Sequence, residues 1–256
     1  MNKTILTIKE NYKLYLIEAF CLGMFMVSAA VFTILFQHPQ LPFVQLIPSD
    51  FIRRLFIGLA MGATAVALIY SPWGKKSGPH MNPAVTLTMW LLKKIPAKDV
   101  PFYIVSQTLG GTLGVLMIVL LLPDYMAHPS VNYVVTVPPH DEWVNALIGE
   151  TIIAFQMMFV TLISSNNESL QKYTGAITGL LILCFVTYES PLSGFSMNPA
   201  RTLASAIPSG IWSFWPLYMI VPPLSMLLAA AAYNVLFHDG KLHTLKHFFA
   251  PEEIMK

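Results

Sequence analysis

One eleven-residue stretch occurs twice: SGPHMNPAVTL at 77–87 and SGFSMNPARTL at 193–203, identical at eight positions with a constant offset of 116. In each copy, turn residues lead into Asn-Pro and then into a short apolar run. Asn is a preferred helix N-cap, and Pro suits the first helical position, where no N–H is required. Asn82 and Asn198 are therefore expected to cap helices that begin at Pro83 and Pro199 and continue through Ala84 and Ala200. Each run meets a proline soon afterwards, Pro96 in the first copy and Pro208 in the second, which is expected to end it. About ten residues at a 1.5 Å rise make roughly 15 Å, half the hydrocarbon core of a bilayer. Two half-membrane helices at corresponding places of two repeats point to a binding or permeation site at the bilayer midplane. A lone Asn-Pro is an ordinary turn opener. Two in one shared context, each beside a long apolar segment, argue for a built site.

The surroundings fit a membrane. Of 256 residues, 55% are hydrophobic and 11% charged, and the mean hydropathy is +0.61. A soluble domain carries about 25% charged residues, so the chain reads as an all-α integral membrane protein. The net charge of +2 is too small and too dispersed for nucleic acid. Cys21 and Cys184 lie inside apolar segments and imply no disulfide framework. The first apolar segment is too long for a cleavable signal peptide and comes after a polar start, so it is expected to stay as the first span.

Spans are expected at about 12–36, 51–71, 101–122, 142–164, 173–188 and 211–237, with the half-spans ending near 92 and 207. The chain is then one membrane domain over 1–256: two repeats at about 12–122 and 143–237, and a polar tail at 238–256. Three spans per repeat is an odd number, so the repeats are inverted and their half-helices face each other from opposite sides. With both termini inside, every lysine is inside: Lys3, Lys9, Lys13, Lys75, Lys76, Lys93, Lys94, Lys98, Lys172, Lys241, Lys246 and Lys256. The opposite loop at 123–141 has no Lys or Arg, a positive-inside pattern. Gly58, Gly62, Gly110, Gly111, Gly114, Gly175 and Gly179 are read as close helix-packing positions.

Ionisable residues within spans are expensive and so draw attention. Glu18 (LIEAF) and Glu150 (LIGET) hold equivalent places in the two repeats. As catalytic carboxylates they lack a metal-ligand cluster, a nucleophile–base pair or a phosphate loop, so no catalytic residue, metal or cofactor is assigned. A proton relay is the second reading. The favoured one is that each accepts backbone N–H groups from an irregular half-helix loop, because non-helical backbone at membrane depth must be satisfied. Glu189 is expected near the water boundary, and His80 is read as packing in its loop. Arg201 has Val85 as its counterpart, and an arginine one turn into the second half-helix faces the outer part of a pore, where it repels cations.

HMNPAVTL and SMNPARTL on inverted three-helix repeats, with Glu18, Glu150 and Arg201, resemble the aquaporin, or major intrinsic protein, superfamily from about residue 18 to 237. The resemblance implies an aquaporin-like fold of six transmembrane helices plus two half-helices, and a passive channel rather than an enzyme. It implies that Asn82 and Asn198 spend their oxygens on capping and turn their NH2 groups to the pore. The loop carbonyls of 78–81 and 194–197 would form a ladder along one wall. It places an outer filter at Ile57, Val186, Phe195 and Arg201, the first less directly because about five extra residues precede the first box. It further implies a homotetramer in a lipid bilayer, with water and small neutral solutes as the permeants. The filter lacks the His of water-selective members at Val186, and Phe195 beside Arg201 is similar to glycerol facilitators. Thr202, Ala206 and the Phe214-Trp215 pair are similar to the water-channel branch. Water with some glycerol-like solutes is the expectation, and a dedicated glycerol or urea facilitator is the alternative. A secondary transporter and a junctional protein with a nearly closed pore are the readings from other classes. The expected location is a bacterial inner membrane with both termini cytoplasmic.

Overall fold

A computed structural model describes residues 3–138 and 142–237. The expected tail at 238–256 lies outside the described residues. Among the described residues, six helices are long and apolar enough to cross a bilayer. With the two half-helices they are, in chain order, α1 (Lys3–Gln37), α2 (Asp50–Tyr70), α3 (Pro83–Leu91), α4 (Val100–Leu121), α5 (Trp143–Asn166), α6 (Gln171–Ser193), α7 (Pro199–Ser209) and α8 (Trp215–Phe237). Their outward faces carry large apolar side chains such as Leu113, Leu120, Leu224 and Val235, each at least 60% exposed. Water would not tolerate that surface, and lipid tails suit it.

Packing respects the repeat. Helix α1 lies along α4, and α5 lies along α8 in the same relation, while α2 and α6 form a pair between them. The half-helices cross over. Helix α7 packs on α4 of the other repeat, and α3 packs on α8. Two glycine contacts are among the closest approaches between helices. A Cβ on Gly110 would stand 2.0 Å from the Ala19 carbonyl oxygen of α1, and one on Gly62 would stand 2.4 Å from that of Gly179 in α6. No side chain fits at either, so backbone meets backbone there, as small residues permit in lipid.

The local starts and stops of the half-helices obey short-range rules, with one correction. Helix α3 ends where Lys93 turns left-handed (φ 59°) and the Lys94 N–H reaches back to Met89 O at 2.8 Å, before Pro96 is reached. Pro208 does not end α7. It lies inside the last turn, and Gly210 (φ 71°) closes the helix through its N–H to Ala206 O at 2.9 Å. A proline so near the end forfeits one hydrogen bond, and the left-handed glycine after it is the usual terminator. The segment before the first box is a short helical turn, Pro72–Ser77, capped by the Ser71 hydroxyl and ended by Gly78 (φ 70°).

Candidate functional site

The two boxes meet at the centre. Asn82 Oδ1 accepts the Ala84 N–H at 2.8 Å, and Asn198 Oδ1 accepts those of Ala200 and Arg201 at 3.0 and 3.2 Å. Each asparagine thereby satisfies orphan donors at the start of its half-helix, with Pro83 or Pro199 in the first position. The amides then cross between repeats. Asn82 Nδ2 donates to Met197 O, and Asn198 Nδ2 donates to Met81 O, both at 2.7 Å. One hydrogen of each NH2 is thus held by the opposite loop, which the sequence does not reveal. Met81 and Met197 sit at φ 50° and 52°, a left-handed backbone rare for non-glycine residues.

Glu18 and Glu150 support these loops from behind. Glu18 accepts Ser77 Oγ (2.9 Å) and His80 N (3.0 Å) on one oxygen, and Met81 N (2.7 Å) and Gln107 Nε2 (2.8 Å) on the other. Glu150 accepts Ser193 Oγ (2.9 Å), Ser196 N (2.6 Å) and Met197 N (2.7 Å). Gln107 has no counterpart in the second repeat because Pro222 occupies the matching place, 115 residues on, as Tyr218 matches Tyr103. That tyrosine pair went unread in the sequence. Tyr103 Oη donates to Ser77 O at 3.1 Å, and Tyr218 Oη donates to Ser193 O at 2.5 Å. The signal was available as two tyrosines 115 residues apart, one short of the box offset, each in the helix after its box.

Threonines lock the loops to the half-helices. His80 Nδ1 lies 3.2 Å from Thr86 Oγ1, and Ser196 Oγ lies 2.6 Å from Thr202 Oγ1. Thr202 therefore holds its loop as Thr86 holds the first, which gives a physical use for threonine directly after Arg201.

Two cavities flank the centre. One, of about 90 Å3, is lined by Asn82, Asn198, His80, Val85 and apolar side chains including Phe25 and Ile182. The other, of about 230 Å3, gathers Ile57, Val186, Phe195 and Arg201, together with Arg54 and Ser130. A water needs roughly 10–15 Å3 of such space, so each cavity has room for several. All four residues expected at an outer filter thus border one space. Val186 reaches it from a π-helical turn, Phe185–Glu189, within α6. Such a turn adds a residue and rotates the helix beyond it. Phe195 (φ 53°) lies beside Arg201, whose guanidinium is 5.6 Å from the ring centroid. Arg201 Nη1 donates to Thr136 Oγ1, and its buried Nε meets no partner among the described residues. Thr136 comes from the loop before α5, and nothing in the sequence singled it out.

Glu189 lies near the end of α6, where protein side chains bury it and Ser193 is the polar neighbour of its carboxylate. Its Oε1 fills the space beside Gly149, where a Cβ would stand 2.4 Å away. Glu189 is the last residue of the π turn, Phe185–Glu189.

The family profile described as Major intrinsic protein matches residues 6–233. The putative aquaporin NIP4-1 of Arabidopsis thaliana is 34% identical over 191 residues, which cover 74% of this chain and 65% of that protein's length. The aquaporin AqpM of Methanothermobacter thermautotrophicus is 33% identical over 188 residues, covering 70% of this chain and 76% of the relative. Among solved structures, the X-ray structure of the aquaglyceroporin from Plasmodium falciparum superposes with a TM-score of 0.73 over 89% of this chain and 97% of that one. At 20% identity that likeness speaks to the fold.

Proposed function

The chain belongs to the major intrinsic protein family, and from that premise we propose that it is a passive channel for water and small neutral solutes such as glycerol, closed to ions and protons. The observation that carries the reading is the crossed asparagine pair at the start of two opposed half-helices. Each half-helix brings about half a positive charge to its N-terminus. Each amide keeps one N–H beyond the one spent on the opposite loop. A passing water that offers its oxygen to these donors points its hydrogens outward both ways, which interrupts a proton wire. Cations meet two positive helix ends and mostly apolar walls that do not replace their hydration shell.

We assign the outer filter to Ile57, Val186, Phe195 and Arg201 on their common cavity. Three apolar side chains and one guanidinium suit a solute with a carbon face and a hydroxyl face. The relatives' names, aquaporins, favour water among the permeants over a dedicated facilitator with little water flux. Glu18 and Glu150 act as loop supports, since their oxygens are occupied by the donors named above. We place both termini on the cytoplasmic side of a plasma membrane from the lysine asymmetry, and the unit as a homotetramer with one pore per subunit, the family's mode of assembly.

Stopped-flow light scattering on proteoliposomes tests the reading. With an impermeant osmolyte, shrinkage is expected well above the rate of empty vesicles, and in a glycerol gradient re-swelling is expected to come after it. Shrinkage at the empty-vesicle rate would remove the channel reading. Fast shrinkage without re-swelling would restrict the permeant to water.

A further inference from the structure

The outer filter borrows part of its geometry from a segment outside both repeats. Arg201 is buried, yet the only hydrogen-bond acceptor its guanidinium meets among the described residues is the hydroxyl of Thr136. The next residue makes a second, independent contact with the filter. A Cβ on Gly194 would stand 2.6 Å from Val137 O and 3.0 Å from Val137 N. Gly194 is left-handed (φ 81°) and directly precedes Phe195. One stretch of chain therefore touches both filter residues of the second box, Arg201 by a hydrogen bond and Phe195 through its neighbour's backbone. The stretch is itself held in an uncommon shape, with Asn132, Tyr133 and Val134 consecutively at φ 45°, 52° and 51°. Backbone of that kind persists only where surroundings over-determine it.

We infer that Thr136 is a positioning residue for the solute filter: it holds the Arg201 guanidinium back against the wall, so that residues 134–137 set the width of the outer constriction. This rests on the channel reading above. The reasoning is one of hydrogen-bond supply. Without the Thr136 hydroxyl, Nη1 joins Nε as a buried donor with no partner. The nearest remedy is water in the outer cavity, so the guanidinium swings toward the lumen and narrows it. Larger permeants then suffer before smaller ones.

The test is Thr136→Val, which keeps shape and removes the acceptor, set beside Thr136→Ser, which keeps the hydroxyl. Both are reconstituted with wild type, and water and glycerol permeabilities are measured alongside thermal unfolding in detergent. Glycerol permeability relative to water is expected to fall in Thr136→Val by about tenfold, the effect of one hydrogen bond to a charged group, and to stay near wild type in Thr136→Ser. Where wild type excludes glycerol, the same fall is expected in water permeability itself. A folded Thr136→Val with an unmoved ratio overturns the inference, as do Val and Ser variants that behave alike. If Thr136→Val fails to fold, Thr136→Ala carries the same expectation without added apolar bulk. A wild type that conducts neither solute overturns the channel reading and this inference together, whereas a conducting wild type with an indifferent Thr136 overturns this inference alone.

Discussion

Replacing Glu150 with Gln separates a loop support from a proton relay. The carboxylate is fully buried, with Ser193 Oγ and Ser196 N on one oxygen and Met197 N on the other. Gln has the same shape but one acceptor oxygen. If that oxygen serves Ser193 and Ser196, the amide NH2 confronts the Met197 N–H. In the other orientation the Ser193 hydroxyl turns and accepts, but the Ser196 N–H confronts the NH2. One backbone N–H is orphaned either way. An orphaned buried donor costs about 1–3 kcal/mol, and the surviving bonds drop from about 1.5–3 to about 0.5–1.5 kcal/mol each without the charge. Relief of the carboxylate's desolvation offsets part of this, which leaves a net loss of about 3 kcal/mol. Glu18→Gln is expected to lose a similar amount, since the orientation that turns Ser77 leaves only the His80 N–H unpaired. The assay is equilibrium unfolding in mixed micelles, with water permeability normalised to folded protein. Stability is expected to fall while flux per folded molecule stays near wild type. Wild-type stability with abolished flux would refute the reasoning and make Glu150 a relay.

Three further expectations concern the filter and the loop that covers it. Arg201→Val is expected to raise cation leak by about tenfold or more, equal to about 1.4 kcal/mol of barrier, measured as dissipation of a potassium gradient; unchanged leak would take Arg201 out of the filter. Val186→His fills space and adds a donor, so glycerol permeability relative to water is expected to drop by about tenfold, within the range that small steric changes supply; no loss of solute flux would sink the wide-filter idea. The third is a pH effect. The His38 imidazole, at the end of α1, is held below the ordinary histidine value by burial and then by His128, whose ring lies 4.5 Å away. Both Nδ1 atoms accept backbone N–H groups, from Gln40 and Ser130. Because the folded state resists protonation, this contact stabilises fully above the unfolded value of about 6.5 and less as pH falls through it. Melting temperature is expected to decline between pH 7.5 and 5, and His38→Phe to flatten that decline; an unchanged slope in the variant would clear His38 of the effect.

What the sequence disclosed was whatever local rules encode. Asn82 and Asn198 announce caps because Asn-Pro is a short-range signal, and the six spans announce themselves by length and hydropathy. Residues matched by repeat or resemblance were also within reach, and the four at 57, 186, 195 and 201 do border one cavity. Contacts between distant segments left no trace. The crossed Asn82–Met197 and Asn198–Met81 bonds span 115 and 117 residues. Gln107 and Thr136 look like any polar residue in a helix or a loop until Glu18 and Arg201 are seen beside them. The π turn at Phe185–Glu189 left no trace either, since nothing in FVTYE advertises one. In sequence Pro208 reads as a stop because proline breaks helix interiors, but in a last turn it removes a single bond and the next glycine, Gly210, decides the end.

The crossover of the half-helices has a consequence for biosynthesis. Helix α3 finds its packing partner in α8, whose first residue, Trp215, lies 124 positions after Leu91. At roughly 5–20 residues per second, a ribosome needs about 6–25 s to make that stretch. Throughout that interval the first half-helix is in the membrane without the surface it will rest on, and its loop has no Asn198 to cross with. The first repeat therefore finishes folding only after the second has been translated, and a chain cut short before α8 loses the pore on both sides of the bilayer at once.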